Sequence, residues 1–218
     1  MKTPGFSPVK TRLAAGMGKH AAEEFHRLSA LAVGAIGQAA RPEITPYWAV
    51  AEFEALHSPL WKNLPTIWQG SGGLGERLHC VHEALLERHD IAFLCGADAP
   101  QLAVRALHAA RETLEQSQVQ FILGPTHDGG FWLFGSRAQL PRQMWLSITY
   151  SQSCTCQDLV EALKAYGASA TIDQLRDVDQ IEDLAPLRDA LASLPTPLPE
   201  QRDLLTWLDR HLLASRTW

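Results

Sequence analysis

The sequence predicts an α/β fold, with a mostly parallel β-sheet and helices on both of its faces. Short apolar runs alternate with longer segments in which apolar residues recur every three or four positions, the patterns of strands and of amphipathic helices. One run, residues 91–95, is apolar throughout, which is typical of a strand buried on both faces of a parallel sheet. Alternation along the whole chain favours parallel strands that are linked by helices.

The same patterns place the elements in order along the chain. Strands are predicted at residues 46–51, 66–69, 91–95, 119–123, 131–134 and 168–175. Helices are predicted at residues 20–40, 74–88, 102–114, 157–166, 181–194 and 204–213. Residues 194–199 form a proline-rich linker, so we expect a domain over residues 1–194, followed by the linker and a C-terminal helix over residues 195–218.

Composition excludes several classes of protein. The 218 residues include 24 acidic and 19 basic side chains, and this net charge of −5 argues against a nucleic-acid-binding surface. The longest apolar run, residues 28–40, is too short and too interrupted to span a bilayer, and no secretory signal is apparent. Four cysteines are too few for a disulfide framework. We therefore expect a soluble, cytoplasmic protein with neither a nucleic acid nor a membrane as its partner.

Two carboxylates follow predicted strands at the places where ligands bind in an open α/β sheet. Asp98 follows the run at 91–95, and Asp128 follows the strand at 119–123. One or two carboxylates together with a diphosphate are ligands that suit Mg²⁺. Taken singly, Asp98 is explained as a helix cap and Asp128 as a turn residue. The presence of both at one edge of the sheet indicates function.

Two cations lie near the amino terminus. Lys10 and Arg12 end a loop rich in proline and glycine, just before a predicted helix. Such side chains, together with the free N–H groups of a helix start, neutralise a diphosphate. By itself such a pair is more typical of a solvated surface.

Residues 70–75 match the glycine pattern of dinucleotide-binding proteins, since they follow a predicted strand and open a helix. Asp98 follows the glycines at about the spacing at which that motif has its acidic residue. The short preceding strand and Glu76, which would crowd a pyrophosphate, weigh against this interpretation. An NAD(P)-dependent oxidoreductase therefore remains an alternative. Asp179 and Glu182 are interpreted structurally, as a capping box for the next helix.

Five segments, in order along the chain, carry a resemblance to a known family. They are KTPGFSPVKTRLA (2–14), GLGERL (73–78), GADAPQL (96–102), GPTHDGGFWL (124–133) and DVDQIEDL (177–184). In these segments the chain resembles an uncharacterised bacterial family of GT-A-fold proteins called glycosyltransferases or nucleotide-diphospho-sugar transferases. The resemblance implies a GT-A-like three-layer sandwich.

The resemblance also implies a reaction, namely the metal-dependent transfer of a sugar from a nucleotide-diphospho-sugar to a small acceptor. Lys10 and Arg12 would then bind the diphosphate. The base and ribose would be lined by three residues of the glycine-rich segment, Gly72, Gly75 and Arg77.

The metal ion that the resemblance implies is Mg²⁺ or Mn²⁺. Asp98 would bind it, with Asp128 joining the metal site or facing the acceptor. Lys10 and Asp128 would be the catalytic residues, because charge on the leaving diphosphate must be offset and the acceptor positioned.

The chain departs from the family at three places. An acid expected between Gly72 and Gly75 is absent, which leaves a non-catalytic nucleotide-binding protein as an alternative. The sequence Asp98-Ala-Pro100 is similar to that of nucleotidyltransferases of the same fold, which use a nucleoside triphosphate and a phosphorylated acceptor. The first strand of the family, which lies near the middle of the sheet, is missing here, because the loop begins at Lys2. Either another segment fills its place or about five to eight mostly apolar residues precede Met1, and we expect the second because the motif is otherwise intact.

Overall fold

Strands and helices alternate along the chain as predicted, in a computed structural model that describes residues 1–116 and 118–214. The α-helices of these residues are α1 (Thr11–Met17), α2 (Lys19–Ala39), α3 (Leu74–Leu86), α4 (Val104–Gln116), α5 (Arg142–Ser147), α6 (Thr155–Leu163), α7 (Leu184–Ala192) and α8 (Pro199–Ala214). The strands are β1 (Trp48–Val50), β2 (Thr66–Trp68), β3 (Ala92–Cys95), β4 (Phe121–Pro125), β5 (Phe131–Ser136) and β6 (Ser169–Thr171).

The strands form two sheets. β1 and β2 pair in parallel, and the other four lie in the order β3-β5-β4-β6. β6 is parallel to β4, whereas β5 is antiparallel to both β3 and β4, so β3, β4 and β6 run in one direction. β5 is the exception to the expected parallel order because Gly129 and Gly130 return the chain at once, and a tight turn joins only antiparallel strands.

Helices cover both faces of the four-stranded sheet, which confirms the α/β class. Successive residues of β4 point to opposite faces, so Phe121 packs in a cluster with Trp145 of α5, while Ile122 packs in a cluster with Leu114 of α4. A third cluster joins α1, α2, α7 and α8. The layered arrangement predicted from the alternation is therefore present.

The C-terminal helix shares the core of the domain that precedes it. Leu204 and Trp207 of α8 pack against Phe25 of α2, and the Gln201 amide donates hydrogen bonds to the carbonyls of Pro100 and Leu102 at 2.8 and 3.0 Å. The described residues on the two sides of the predicted boundary at residue 194 thus share one hydrophobic core. Residues 215–218 of the predicted segment lie outside the described residues.

α2 is 21 residues long and holds two parts of the chain that carry predicted site residues. Buried Ser29 donates to the carbonyl of Ala97 at 2.9 Å, next to Asp98, and His26 bonds to the carbonyl of Lys2 at 3.0 Å. Burial lowers the pKa of His26, which favours the neutral ring at this bond. None of the helices formed by the described residues has both the length and the apolar character needed to cross a membrane.

No described strand takes the place of the missing first strand near the middle of the sheet, because β1 and β3 belong to separate sheets with no strand between them. Met1 is bonded to the edge of β1 through Ala49 and Ala51. The expectation that another segment fills this place is therefore wrong for residues 1–116 and 118–214.

Gly75, in the first turn of α3, permits a close approach to α5. A Cβ atom at this position would lie 2.6 Å from the carbonyl oxygen of Trp145. We predict that Gly75→Ala lowers the free energy of unfolding in urea by roughly 1–3 kcal/mol, because a backbone atom cannot give way cheaply. Gly96→Ala is the control, since its Cβ would be 3.7 Å from the nearest atom. Equal stability of the two variants would contradict this packing.

Candidate functional site

Three loops meet at the carboxyl edge of the four-stranded sheet. Asp98 lies in the loop after β3, and Asp128 lies in the turn after β4. The segment after β6 is hydrogen-bonded to both loops. The Leu175 N–H donates to the carbonyl of Pro125 at 3.1 Å, and the Val178 N–H donates to the carbonyl of Asp98 at 3.1 Å. The carboxylates predicted to share this edge do so, and the segment after β6 brings further acids to it.

The Lys10 ammonium lies at the centre of these loops. Its Nζ is 2.8 Å from Asp98 Oδ1 and 3.8 Å from Asp179 Oδ1, and it donates a hydrogen bond to the carbonyl of Val178. The Lys10 side chain is only 5% exposed, whereas that of Asp98 is 49% exposed. The sequence assigned Lys10 to a diphosphate and Asp98 to a metal ion, and the structure joins these two residues as an ion pair.

The backbone places Lys10 for this role. Its φ of 46° lies in the left-handed region, which non-glycine residues adopt at a cost of about 1–3 kcal/mol. The residue directly precedes α1, and its ammonium also lies 5.9 Å from the centre of the Phe25 ring. Arg12, two residues further on, contacts Asp179 at 3.1 Å but keeps 66% of its side chain exposed. Lys10 is therefore held in place, and Arg12 reaches toward solvent.

Asp128 shapes the turn between β4 and β5. Its Oδ1 accepts hydrogen bonds from the Thr126 hydroxyl at 2.5 Å and from the Gly130 N–H at 3.0 Å. These contacts support the structural explanation of this residue as a turn former. The same residue lines a cavity together with Asp98.

Asp177 is an acid of the site that the sequence analysis missed. Burial, followed by the negative charges of Asp128, Asp179 and Asp98, raises the pKa of Asp177 to about 6. The residue lines the same cavity as Asp98 and Asp128. Its position after the predicted strand at 168–175 could have indicated that Asp177 lies at the same edge of the sheet as Asp98 and Asp128.

The interpretation of Asp179 and Glu182 as a capping box was wrong. The cap is made by Asp183, whose Oδ2 accepts from the N–H groups of Gln180 and Asp179 at 2.9 and 3.0 Å. The side chain of Asp179 is therefore engaged with Lys10 and Arg12 instead.

The glycine-rich segment forms the start of α3. Gly73 N–H donates to Glu76 Oε2 at 2.6 Å, and Arg142 contacts the other oxygen of Glu76 at 3.0 Å. The Glu76 carboxylate thus occupies the N-terminus of α3, where a dinucleotide-binding protein places the pyrophosphate. This contact weighs against the binding of NAD(P) by the glycine-rich segment. Arg77 donates to the carbonyl of Gly72, whose φ is +100°, and Arg77 lines the cavity. The nucleotide contacts of Gly72, Gly75 and Arg77 remain predictions.

The donor chemistry of the edge fits a hard divalent cation that arrives with its ligand. Among the described residues, no three His, Cys, Asp or Glu side chains are grouped so that they would hold a metal ion by themselves. Mg²⁺ needs only one or two carboxylates when phosphate oxygens and water complete its octahedron. Asp98, half-exposed, and Asp128, in the same cavity, provide this set.

Comparison with known proteins identifies the family. Residues 36–152 match the family described as "Uncharacterized protein conserved in bacteria (DUF2064)", over more than half of the chain. The chain belongs to the DUF2064 family. The resemblance seen in the five segments, to an uncharacterised bacterial family, is thereby confirmed.

A solved structure shows the same fold as this DUF2064 chain. It is the crystal structure of a putative nucleotide-diphospho-sugar transferase from Desulfovibrio desulfuricans G20, with a TM-score of 0.84 and 23% sequence identity. The match covers 98% of this chain and 94% of that one, so the fold class predicted from the sequence is confirmed. No curated protein matches the chain.

Asp177 makes the stability of the protein depend on pH. Between the usual pKa of 3.8 and about 6, the folded protein keeps a proton on Asp177 that the unfolded chain has released, so stability falls as the pH rises through this window. We predict that Asp177→Asn is more stable than the parent by about 1 kcal/mol at about pH 7.5, and no more stable at about pH 4.

Urea unfolding at the two pH values measures this effect. Asp173→Asn is the control, because Asp173 is an exposed acid of the same segment. A loss of stability in Asp177→Asn at the higher pH would show that the carboxylate makes a structural bond, contrary to this account.

Proposed function

We propose that this DUF2064 protein is a transferase that moves a sugar from a nucleotide-diphospho-sugar to a small acceptor, with Mg²⁺ or Mn²⁺ as its cofactor. The observation that carries the proposal is the buried Lys10 ammonium bound to Asp98 at the carboxyl edge of the sheet. A fixed cation beside a half-exposed carboxylate provides both charges that a metal-bound diphosphate requires. The fold shared with the Desulfovibrio desulfuricans G20 protein supports the same class of reaction.

The charges of the site argue for metal dependence. Asp128, Asp179 and Asp98 lie close enough to Asp177 to raise its pKa, and these four acids outnumber the cations Lys10 and Arg12. A bare diphosphate would add negative charge to this cluster and be repelled. When bound, the metal ion would neutralise part of the charge on the leaving diphosphate.

Lys10 and Asp98 would exchange partners when the ligand binds. The Lys10 Nζ turns from Asp98 to the phosphate oxygens, a charge-assisted contact of the same kind, and Asp98 is then free to bind the cation. Lys10 needs little reordering, because its side chain is already buried and its backbone is fixed at the start of α1. Such preorganisation favours the transition state, in which charge develops on the leaving group.

The acceptor would bind on the side of the cavity that Asp128 and Asp177 line. Asp177 has the pKa raised to about 6, close to neutral pH, which suits a group that accepts a proton from an acceptor hydroxyl. Asp128 is held by Thr126 and Gly130 and would orient the acceptor. This arrangement adds Asp177 to the residues assigned from the sequence.

A second candidate reaction is nucleotidyl transfer from a nucleoside triphosphate to a phosphorylated acceptor. The observation that favours it is Asp98-Ala-Pro100, which resembles the corresponding segment of nucleotidyltransferases. The products separate the two reactions, because sugar transfer releases a nucleoside diphosphate and nucleotidyl transfer releases pyrophosphate. Binding of a nucleotide without release of either would indicate a non-catalytic nucleotide-binding protein.

The binding step is tested by melting temperatures with a panel of nucleoside diphosphates and nucleotide sugars, with and without Mg²⁺ or Mn²⁺. We predict that one nucleotide raises the melting temperature of the parent by several degrees when the metal is present, as binding well above the dissociation constant requires. Asp98→Asn should keep the parent's melting temperature without ligand to within about 3 °C but lose the metal-dependent increase, because an amide of the same shape coordinates Mg²⁺ poorly.

The control for this variant is Asp203→Asn, an exposed acid of α8. It should respond to metal and nucleotide as the parent does. Equal metal-dependent shifts in Asp98→Asn and the parent would remove Asp98 from the metal site. Stabilisation by NAD, with no response to any metal and nucleotide, would contradict the proposed function.

A further inference from the structure

A cavity of about 1060 Å³ separates β1 from β3. β1 pairs with β2 and β3 pairs with β5, and residues of both strands line the cavity between them. At one end this cavity opens onto Asp98 and Asp128. Protein interiors are close-packed, and voids larger than a water molecule are few. The part of the cavity that lies between the two strands is therefore a departure from a packed interior, which an occupant would fill.

Met1 already forms one step of a parallel ladder in this space. Its amino group donates to the carbonyl of Ala49, and its own carbonyl accepts from the Ala51 N–H at 2.8 Å. In a parallel pair one residue bonds to both neighbours of its partner, and the partner of Met1 is thus Val50. Trp48 and Val50 bond to the β2 side, so the backbone groups of Ala49 and Ala51 point into the gap.

The amino group of Met1 is buried between the ends of the two strands. Burial lowers its pKa to about 6, an effect that the carboxylates of Asp98 and Glu52 partly oppose. Asp98 follows β3, and Val50 ends β1, so Met1 lies between the carboxyl ends of both strands. A peptide N–H would make the same hydrogen bond to Ala49 without the cost of burying a charge.

We propose that this gap is a strand-binding slot, and that its occupant is an apolar segment of about five residues joined to the amino group of Met1. The segment would run parallel to β1, continue the register of Met1 with Val50, and lie beside β3 (Ala92–Cys95). Its backbone would pair with the edges that β1 and β3 turn toward the cavity, and the two sheets would become one.

The lining of the slot defines the side chains that it accepts. Val33 and Ile36 of α2 and Leu107 of α4 lie on one side, and Leu78, Val81 and Leu85 of α3 lie on the other. Since successive residues of a strand point to opposite faces, both sets of side chains in the occupant would be apolar. A continuous apolar run therefore fits the slot, and an alternating one does not.

The far end of the slot indicates where the occupant leaves it. His89, Asp90, Arg111 and Glu115 line the cavity at the loop before β3 and on α4. These charged and polar side chains suit a chain that emerges into solvent. The apolar length between them and Met1 corresponds to the extent of β3.

The slot is tested with two N-terminal extensions of equal length. The first adds Met-Ser-Val-Ile-Leu-Val-Phe before Met1, and the second adds Met followed by six Gly and Ser residues. We expect the apolar extension to raise the melting temperature by about 5 °C or more, and to slow hydrogen exchange at Ala49 and along β3. The Gly/Ser extension should do neither. Equal melting temperatures for the two extended proteins would overturn the proposal.

A second measurement tests the slot without an extension, in case the extended protein does not fold. Acetyl-Val-Ile-Leu-Val-Phe-amide and decanoate are added separately to the protein without an extension. Stabilisation by the peptide, with protection of the same amides, supports a strand slot. If decanoate stabilises the protein and the peptide does not, the cavity binds a small apolar ligand. If the melting temperature rises with protein concentration when neither compound is added, the cavity binds a second copy of the chain. Either of these last two results overturns the proposal, and none of these readouts depends on the transferase activity.

Discussion

The ion pair between Lys10 and Asp98 is the interaction on which the carboxyl edge depends. It joins the amino-terminal loop to the loop after β3, and the Lys10 bond to Val178 adds the segment after β6. The buried Lys10 ammonium keeps the Val178 carbonyl and Asp179 as partners when Asp98 is replaced by an amide, and Asp98 is half-exposed, so that replacement costs far less than it would in a fully buried pair. Loss of Lys10 instead would leave the acids of the edge, whose charges add to the effect of burial on the pKa of Asp177, without their buried cation.

The same pair has a consequence for ligand binding. In the proposed reaction, a cation bound to Asp98 would release the Lys10 ammonium, and a diphosphate bound to Lys10 would release the Asp98 carboxylate. The cation would thus free the ammonium that binds the diphosphate, and the diphosphate would free the carboxylate that binds the cation. The two ligands should therefore bind with positive cooperativity in the proposed reaction. Without ligands, the pair keeps both groups in place.

The sequence predicted the elements whose signals are local. The apolar run at 91–95 corresponds to β3, and the glycines at 129 and 130 correspond to the turn into β5. α5 was missed because six residues are too few to show helical periodicity, and the helix depends on packing of Trp145 in the core. The antiparallel direction of β5 follows from its short turn, a constraint that the preference for parallel sheets obscured.

The site was predictable only as far as residue type and strand order define it. Asp98 and Asp128 follow strands, and the order of strands brings such residues to one edge. The pairing of Lys10 with Asp98 joins residues 88 positions apart, and no local pattern encodes such a contact. The raised pKa of Asp177 likewise arises from burial and from three acids brought near by the fold.

The state of the Lys10 ammonium tests the central claim most directly. In protein labelled with ¹⁵N at lysine side chains, a buried and hydrogen-bonded ammonium gives a resolved signal, which Lys10→Met identifies by its loss. We predict that a nucleoside diphosphate with Mg²⁺ shifts this signal strongly, and that either ligand alone shifts it little, because phosphate replaces Asp98 only when the metal takes the carboxylate. A signal unchanged at saturating nucleotide and Mg²⁺ would show that the diphosphate binds elsewhere, and would contradict the account.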